Sequence, residues 1–234
     1  IVNMTQGYPS AEWLYKENHR NGEIGVCNIG GIVIPNIDND EEYFKACYLE
    51  LKMIDTTIDL AHYELPHVGY MAKRRRNAAI GAVGVAEVYA KKGVRFDTPY
   101  GLELAHQMAE RHLYFVVKAA IKLTEERGLC EFADETKWGD GWLPFDNYKK
   151  NLDSIVDHKL KYDWEPIRQR LRELGGLHFS TLIAHMPTES SSKAAGKPNG
   201  IYPIRELYMK KSDMNAVLDW VAPDHDLYGS DYQV

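Results

Sequence analysis

Two stretches gather residue types that can do chemistry. In "AHMPTESSSKAAG", residues Pro187, Thr188, Glu189, Ser190, Ser191 and Ser192 follow an apolar run and lead into a helix-favouring tail. A strand–loop–helix passage of this kind aims unpaired N–H groups and the positive end of a helix dipole at one spot. Hydroxyl groups add donors that rotate to suit the ligand. The chemistry is anion binding, with phosphate the first candidate, although the GxxxxGK[ST] pattern of a Walker A loop is absent. Glu189 fits beside a phosphate only if its carboxylate turns away and its backbone N–H turns in. A solvated serine-rich turn with a helix N-cap explains the same residues equally well.

The second stretch is "EIGVCNIGGIVI", centred on Cys27. A thiol held on a strand could do redox work, but residue spacing alone favours a buried, inert one, since no adjacent His or Lys would lower its pKa. Of the other two cysteines, Cys47 falls on the apolar face of a helix as a core thiol. Cys130 lies in a loop where it could be exposed, with nothing near to activate it. An odd, scattered set without a CxxC argues against a disulfide framework and for a reducing, cytoplasmic setting. The nine histidines form no HxxxH and no Cys pairing at ligand spacing, so no metal site is expected.

The elements that must position these residues follow from periodicity. Glu23 to Ile34 reads as a buried strand with close backbone approach at Gly30 and Gly31. Phe44, Cys47, Leu51, Ile54 and Ile58 mark an amphipathic helix from Asp40 to about Tyr63. "RRRNAAIGAVGVAEVYAKKG" predicts a short strand, a turn and a helix capped by Gly93. Its Gly81 and Gly84 do not match GxGxxG and suit close strand–helix packing. Thr98-Pro99 opens a helix to about Arg127, with Leu102, Ala105, Ala109, Leu113, Val116, Ala120 and Leu123 as its buried stripe. A further helix covers Trp164 to Leu174, and "LHFSTLIAH" predicts the strand that feeds the serine-rich loop. Alternating elements of this order predict an α/β fold in one domain.

Composition narrows the partners. The chain has 234 residues, 44% hydrophobic and 26% charged, with a net charge of -6. That balance excludes a nucleic-acid backbone as main ligand. The one basic run, Lys73 to Arg76, reads as the solvated or ion-paired end of a strand. No apolar stretch approaches the roughly 20 residues of a membrane span. "IVNMTQGYPS" is no signal peptide and lacks an initiator methionine, so the chain is expected to begin after processing or partway through a longer reading frame.

Four segments together resemble the large, catalytic subunit of class I ribonucleotide reductases. They are "NGEIGVCNIGG", "RRRNAAIGAVGVAEVYAKKGVRF", the run from "LPFDNYKK" through "HMPTESSS", and the later "NGIYP". They occur in family order and cover most of the chain. The resemblance implies part of a ten-stranded α/β barrel with surrounding helices, residues 1–234 forming one partial catalytic domain with 1–22 as loop. It implies that the opening loop holds the diphosphate of a ribonucleoside diphosphate. Pro187 would set the loop's geometry beside Thr188, while Glu189, Ser190 and Ser191 would supply amides and hydroxyls. Cys27 would be one of two thiols that reduce the ribose. No cofactor would be bound by this chain: the radical would come from the metal cofactor of a separate small subunit. Re-reduction would fall to an external dithiol of the thioredoxin or glutaredoxin type.

The family's radical cysteine, in an Asn-Leu-Cys-x-Glu loop, has no counterpart here. Nor do the first cysteine of the redox pair, the tyrosine pair that relays the radical, and the cysteine-bearing C-terminal tail. The resemblance therefore implies an internal fragment, inactive until it associates with the segments that carry them. Two other readings remain open on the residues alone. One is a non-catalytic nucleotide- or phosphate-binding module that kept the fold; the other is an interaction protein using exposed strand edges.

Overall fold

The computed structural model describes residues 24–147, 160–212 and 217–232. The expected loop at 1–22 lies outside them. Strand β1 (Asn28–Val33) leads through a 3-10 turn at Ile34–Asn36 into helix α1 (Asp40–Leu60). Asn39 caps α1 by accepting from the Glu42 amide at 2.9 Å, and Asp40, Glu41 and Glu42 complement its dipole. Its buried face carries Tyr43, Cys47, Leu51, Ile54 and Ile58. Phe44 packs at the margin, and Tyr43 takes the inner place expected for it.

The basic run departs from expectation. Lys73, Arg74 and Arg75 form the last turn of a helix, α2 (Pro66–Arg75), which Arg76 ends in the left-handed conformation. Pro66 opens that helix at its first turn, where a missing N–H costs nothing. Cations at a helix C-terminus oppose its negative end, and these also find acids: Arg74 with Glu131, Arg75 with Glu135, and Arg76 with both Asp55 and Asp59.

Strand β2 (Ala78–Val83) pairs in parallel with β1, Asn28 opposite Ala78 through Val33 opposite Val83. Helix α3 (Val85–Lys92) follows at once. Gly84 makes that junction at φ 82°, and Gly93 closes α3 as expected. Helix α4 (Pro99–Arg127) starts at Thr98, whose hydroxyl accepts from the Gly101 amide at 3.0 Å.

The buried stripe of α4 is rotated from the expected one over its first half. Leu102, Ala105 and Ala109 are exposed, whereas Leu104, Glu110 and His112 are buried. The cause is Glu110. Its carboxylate accepts from the Lys161 and Tyr162 amides and the Trp164 indole at 2.9–3.1 Å, so burial leaves it satisfied. Val116, Ala120 and Leu123 lie inward as the pattern predicts.

Helix α5 (Glu165–Leu174) ends at Gly175, φ 76°. The expected strand from Leu177 is not a regular one. Ala78 N–H donates to Thr181 O and Ile80 N–H to Leu182 O, and Ile80 with Ile183 forms a single parallel bridge. Two residues of β2 advance against one of this segment, so the ladder slips and only one bridge forms. Beyond it lie helix α6 (Glu189–Ala194), an antiparallel hairpin of β3 (Tyr208–Ser212) and β4 (Val217–Val221), and helix α7 (His225–Tyr228). The hairpin was not expected from the sequence.

Helix α1 covers one face of the β1–β2 pair and packs in turn on α4, and there Ile32, Ile34, Ala78, Ile80 and Ala82 join the main core. Strand alternation puts Cys27, Ile29, Gly31 and Val33, with Asn77, Ala79, Gly81 and Val83, on the other face. Ile29, 55% exposed, marks that face as open on β1. Among the described residues the sheets have two strands each, with no closed barrel. Among them, too, no helix is long and apolar enough to cross a membrane.

Candidate active site

Gly31 and Gly81 are register partners, and the absence of side chains there is what admits the segment at Ala184–Met186. A Cβ on Gly81 would lie 2.6 Å from Met186 Sδ and 2.7 Å from Ala184 O; one on Gly31 would lie 3.7 Å from Met186 Cε. Met186 therefore rests on a flat glycine floor, and the chain proceeds directly into Pro187. The sequence pointed to strand–helix packing for Gly81; the structure shows strand–loop packing.

Thr188 is the N-cap residue of α6, but its hydroxyl does not cap the helix. It donates to Asn199 Oδ1 at 3.0 Å and accepts from the Gly200 amide at 2.9 Å, while the Thr188 amide donates to the same Asn199 oxygen at 2.7 Å. With Thr188 buried in this knot, the N2 and N3 amides of α6, Ser190 and Ser191, lose the acceptor that an N-cap hydroxyl normally provides. Both residues are exposed. Glu189 sends its carboxylate along the helix to Lys193 Nζ, 3.5 Å away, the orientation that an anion beside its amide requires.

Asn199 holds the loop in place through Thr188, a contact that sequence reasoning passed over. Lys197 is part of the scaffold. Its ammonium is held by the buried Glu87 at 2.8 Å and by Asp224 at 3.4 Å, tying the loop to α3 and α7 instead of facing an anion. Burial alone would lower its pKa, but the two carboxylates outweigh burial and raise it. Recognition here would rest on amides and hydroxyls.

Cys27 lies one residue before β1 and is exposed, not buried as spacing favoured. Strand edges bury a side chain only where another element covers them, and none of the described ones covers β1 at this end. Partial burial still pushes its thiol pKa up, which keeps it protonated near neutrality. Cys130, which could have been exposed, is buried, 3.7 Å from Ser180 Oγ. Cys47 is a core thiol as expected, its pKa pushed up to about 12 by burial. Among the described residues no His, Cys, Asp and Glu cluster could hold a metal ion.

Extending the alternation of β1 by one residue sets Cys27 on the face where the Met186–Pro187 segment lies, toward the other end of the sheet. Four residue steps lead from Cys27 to Gly31, about 13 Å at roughly 3.3 Å per residue.

Residues 6–227 match the family model described as "Ribonucleotide reductase, barrel domain". The chain belongs to that family. It is 34% identical over 217 residues to the ribonucleoside-diphosphate reductase subunit alpha of Haemophilus influenzae, covering 93% of this chain and 29% of that one. The subunit alpha of Enterobacteria phage T4 is 32% identical over 92% of this chain and 28% of its own. The ribonucleoside-diphosphate reductase 1 subunit alpha of Escherichia coli is 37% identical over 73% of this chain and 23% of its own. This barrel-domain chain therefore spans less than a third of the length of these relatives. Family membership accounts for the α/β order and for the parallel pairing of β1 with β2.

Proposed function

We propose that the chain is the part of a ribonucleoside-diphosphate reductase catalytic subunit that holds the substrate's diphosphate and supplies one reducing thiol. The observation that carries this reading is the shared open face, on which the Gly31–Gly81 floor aligns the Cys27 strand with the loop at Pro187. Pro187 and the Thr188 knot set the loop, and the amides and hydroxyls of Glu189, Ser190 and Ser191 receive the phosphates. The ribose then lies toward Cys27.

In the reduction, a thiyl radical on a cysteine of another segment removes the 3′ hydrogen and later returns it. The 2′ hydroxyl leaves as water, and Cys27 with a second thiol delivers two electrons and two protons and becomes a disulfide. An external dithiol of the thioredoxin or glutaredoxin class restores the pair. Rigid placement of the sulfur beside the sugar is what a strand end offers, because small misplacements are costly in rate. The reading calls for a ten-stranded barrel completed by further segments, a small radical-generating subunit with its metal cofactor, and a cytoplasmic setting.

The test is nucleoside diphosphate reduction by this chain, alone and together with the segments that carry the radical cysteine and a radical-generating small subunit. Activity is expected only in the mixture. Cys27→Ser should abolish multi-turnover reduction with diphosphate binding kept, and Ser190→Ala with Ser191→Ala should weaken binding. A mixture that stays inactive, or one indifferent to Cys27→Ser, leaves the phosphate-binding module as the function.

A further inference from the structure

Asn77, the residue before β2, is only 3% exposed, yet its side-chain Nδ2 has no hydrogen-bond partner among the described residues. Buried donors are nearly always paired, so an unpaired one calls for a reason. The rest of the residue is engaged. Thr181 Oγ1 approaches Asn77 Oδ1 at 3.5 Å from one flank of β2. On the other flank, Asn28 Nδ2 donates to the Asn77 backbone carbonyl at 2.9 Å. On the β1 flank the amide nitrogen meets no partner among the described residues.

What lies on that side is Cys27. Extending the parallel register by one residue, from Asn28 opposite Ala78, sets Cys27 beside Asn77. Alternation puts both side chains on the open face. Neighbouring strands run about 4.8 Å apart, a separation that a cysteine and an asparagine on one face can bridge by rotation about χ1. In the structure Cys27 is exposed and makes no such bond.

We propose that the Asn77 amide is the hydrogen-bond donor for the Cys27 sulfur, engaged when that sulfur rotates inward, which makes Asn77 a positioning residue for the reducing thiol. The word "reducing" rests on the function proposed above; the Asn77–Cys27 pairing does not. A donor on sulfur favours the thiolate, the form that leaves when a disulfide is cleaved. In re-reduction, a thiolate of the external dithiol bonds to the sulfur disulfide-linked to Cys27. The S–S bond breaks, and its electron pair passes to Cys27 Sγ beside the Asn77 N–H. A proton then returns the Cys27 thiol. The second external thiolate attacks the external sulfur of the mixed disulfide, whose S–S bond breaks as the external disulfide closes, and the partner sulfur leaves as a thiolate and is protonated.

Iodoacetamide tests this on the intact chain, because Cys47 and Cys130 are buried and Cys27 alone of the three is exposed. Among the described residues burial is the one cause of its raised titration. Asn77→Leu fills the same space without the donor. It should move the midpoint of the alkylation pH–rate profile upward and slow alkylation at pH 8 by about threefold to tenfold. Asn77→Asp keeps the oxygen that faces Thr181 and, above its own titration, should slow alkylation further. If Asn77→Leu fails to fold by circular dichroism, Asn77→Asp decides the question. Profiles that superpose on the wild type overturn the pairing. That result is independent of the reductase assay, so a loss of either conclusion is read separately.

Discussion

His112 offers a sharp test of the packing behind the site. It is buried within α4, with Nε2 3.1 Å from the Ile80 carbonyl and Nδ1 2.8 Å from the Tyr43 hydroxyl. A carbonyl only accepts, so Nε2 carries the proton and Nδ1 accepts from Tyr43. One neutral ring thus joins α4, α1 and the strand whose next residue is Gly81. Burial drives its pKa down to about 4; the Ile80 carbonyl opposes that, and His185 adds to it. The native state therefore binds fewer protons than the unfolded chain between pH 4 and the ordinary 6.5, and stability falls as pH drops through that window. Linkage puts the loss from this one ring at about 2 kcal/mol between pH 7 and pH 5, approaching 3 kcal/mol by pH 4. The assay is urea unfolding of wild type and His112→Gln at pH 7 and pH 5. The glutamine side chain does not titrate, so the variant's deficit at pH 7 should shrink by about 2 kcal/mol at pH 5. An equal deficit at both pH values would refute the reasoning, because it would mean that the imidazole charges as readily in the fold as in water.

Two further outcomes follow from the same geometry. Gly81→Ala forces a methyl against Met186 and the Ala184 carbonyl, of which the backbone oxygen cannot move aside freely. It should cost about 1–3 kcal/mol and displace the anion loop. Calorimetric titration with cytidine diphosphate should then show binding weakened tenfold or more in a protein that still melts cooperatively; unchanged affinity would sink the glycine-floor account. Asp55 is fully buried and bonded to His178 Nε2 at 2.9 Å, to Arg76 Nε at 2.8 Å and to Arg127. Burial alone would raise its pKa, but His178 and Arg76 outweigh it and hold the carboxyl at about 2. Its contribution is present above its ordinary pKa of 3.8 and is lost as pH falls toward 2. Asp55→Asn leaves the two arginines facing an uncharged partner and should cost about 3–5 kcal/mol, read as a lowered thermal midpoint at pH 7. A midpoint equal to that of wild type would show the network to be dispensable.

What the sequence settled by itself is local. Thr98-Pro99 opened α4, Gly93 and Gly175 closed their helices, and the glycines of β1 announced close approach, because caps and turns are decided by residues a few positions apart. The loop–helix step after Pro187 was legible for the same reason, whereas the strand expected before it reduces to a single bridge at Ile183. The rest depended on partners distant in sequence. Glu110 reads as a surface residue until Lys161, Tyr162 and Trp164 bring it three donors, and that single exchange rotates the buried stripe of α4. Cys27 reads as a core thiol in an apolar strand, yet its burial depends on whether another element covers that face. Thr188 reads as an N-cap until Asn199 and Gly200 draw its hydroxyl away. Chain geometry can be written in neighbouring residues, whereas burial and hydrogen-bond ownership are properties of a surface that exists only once the segments have met.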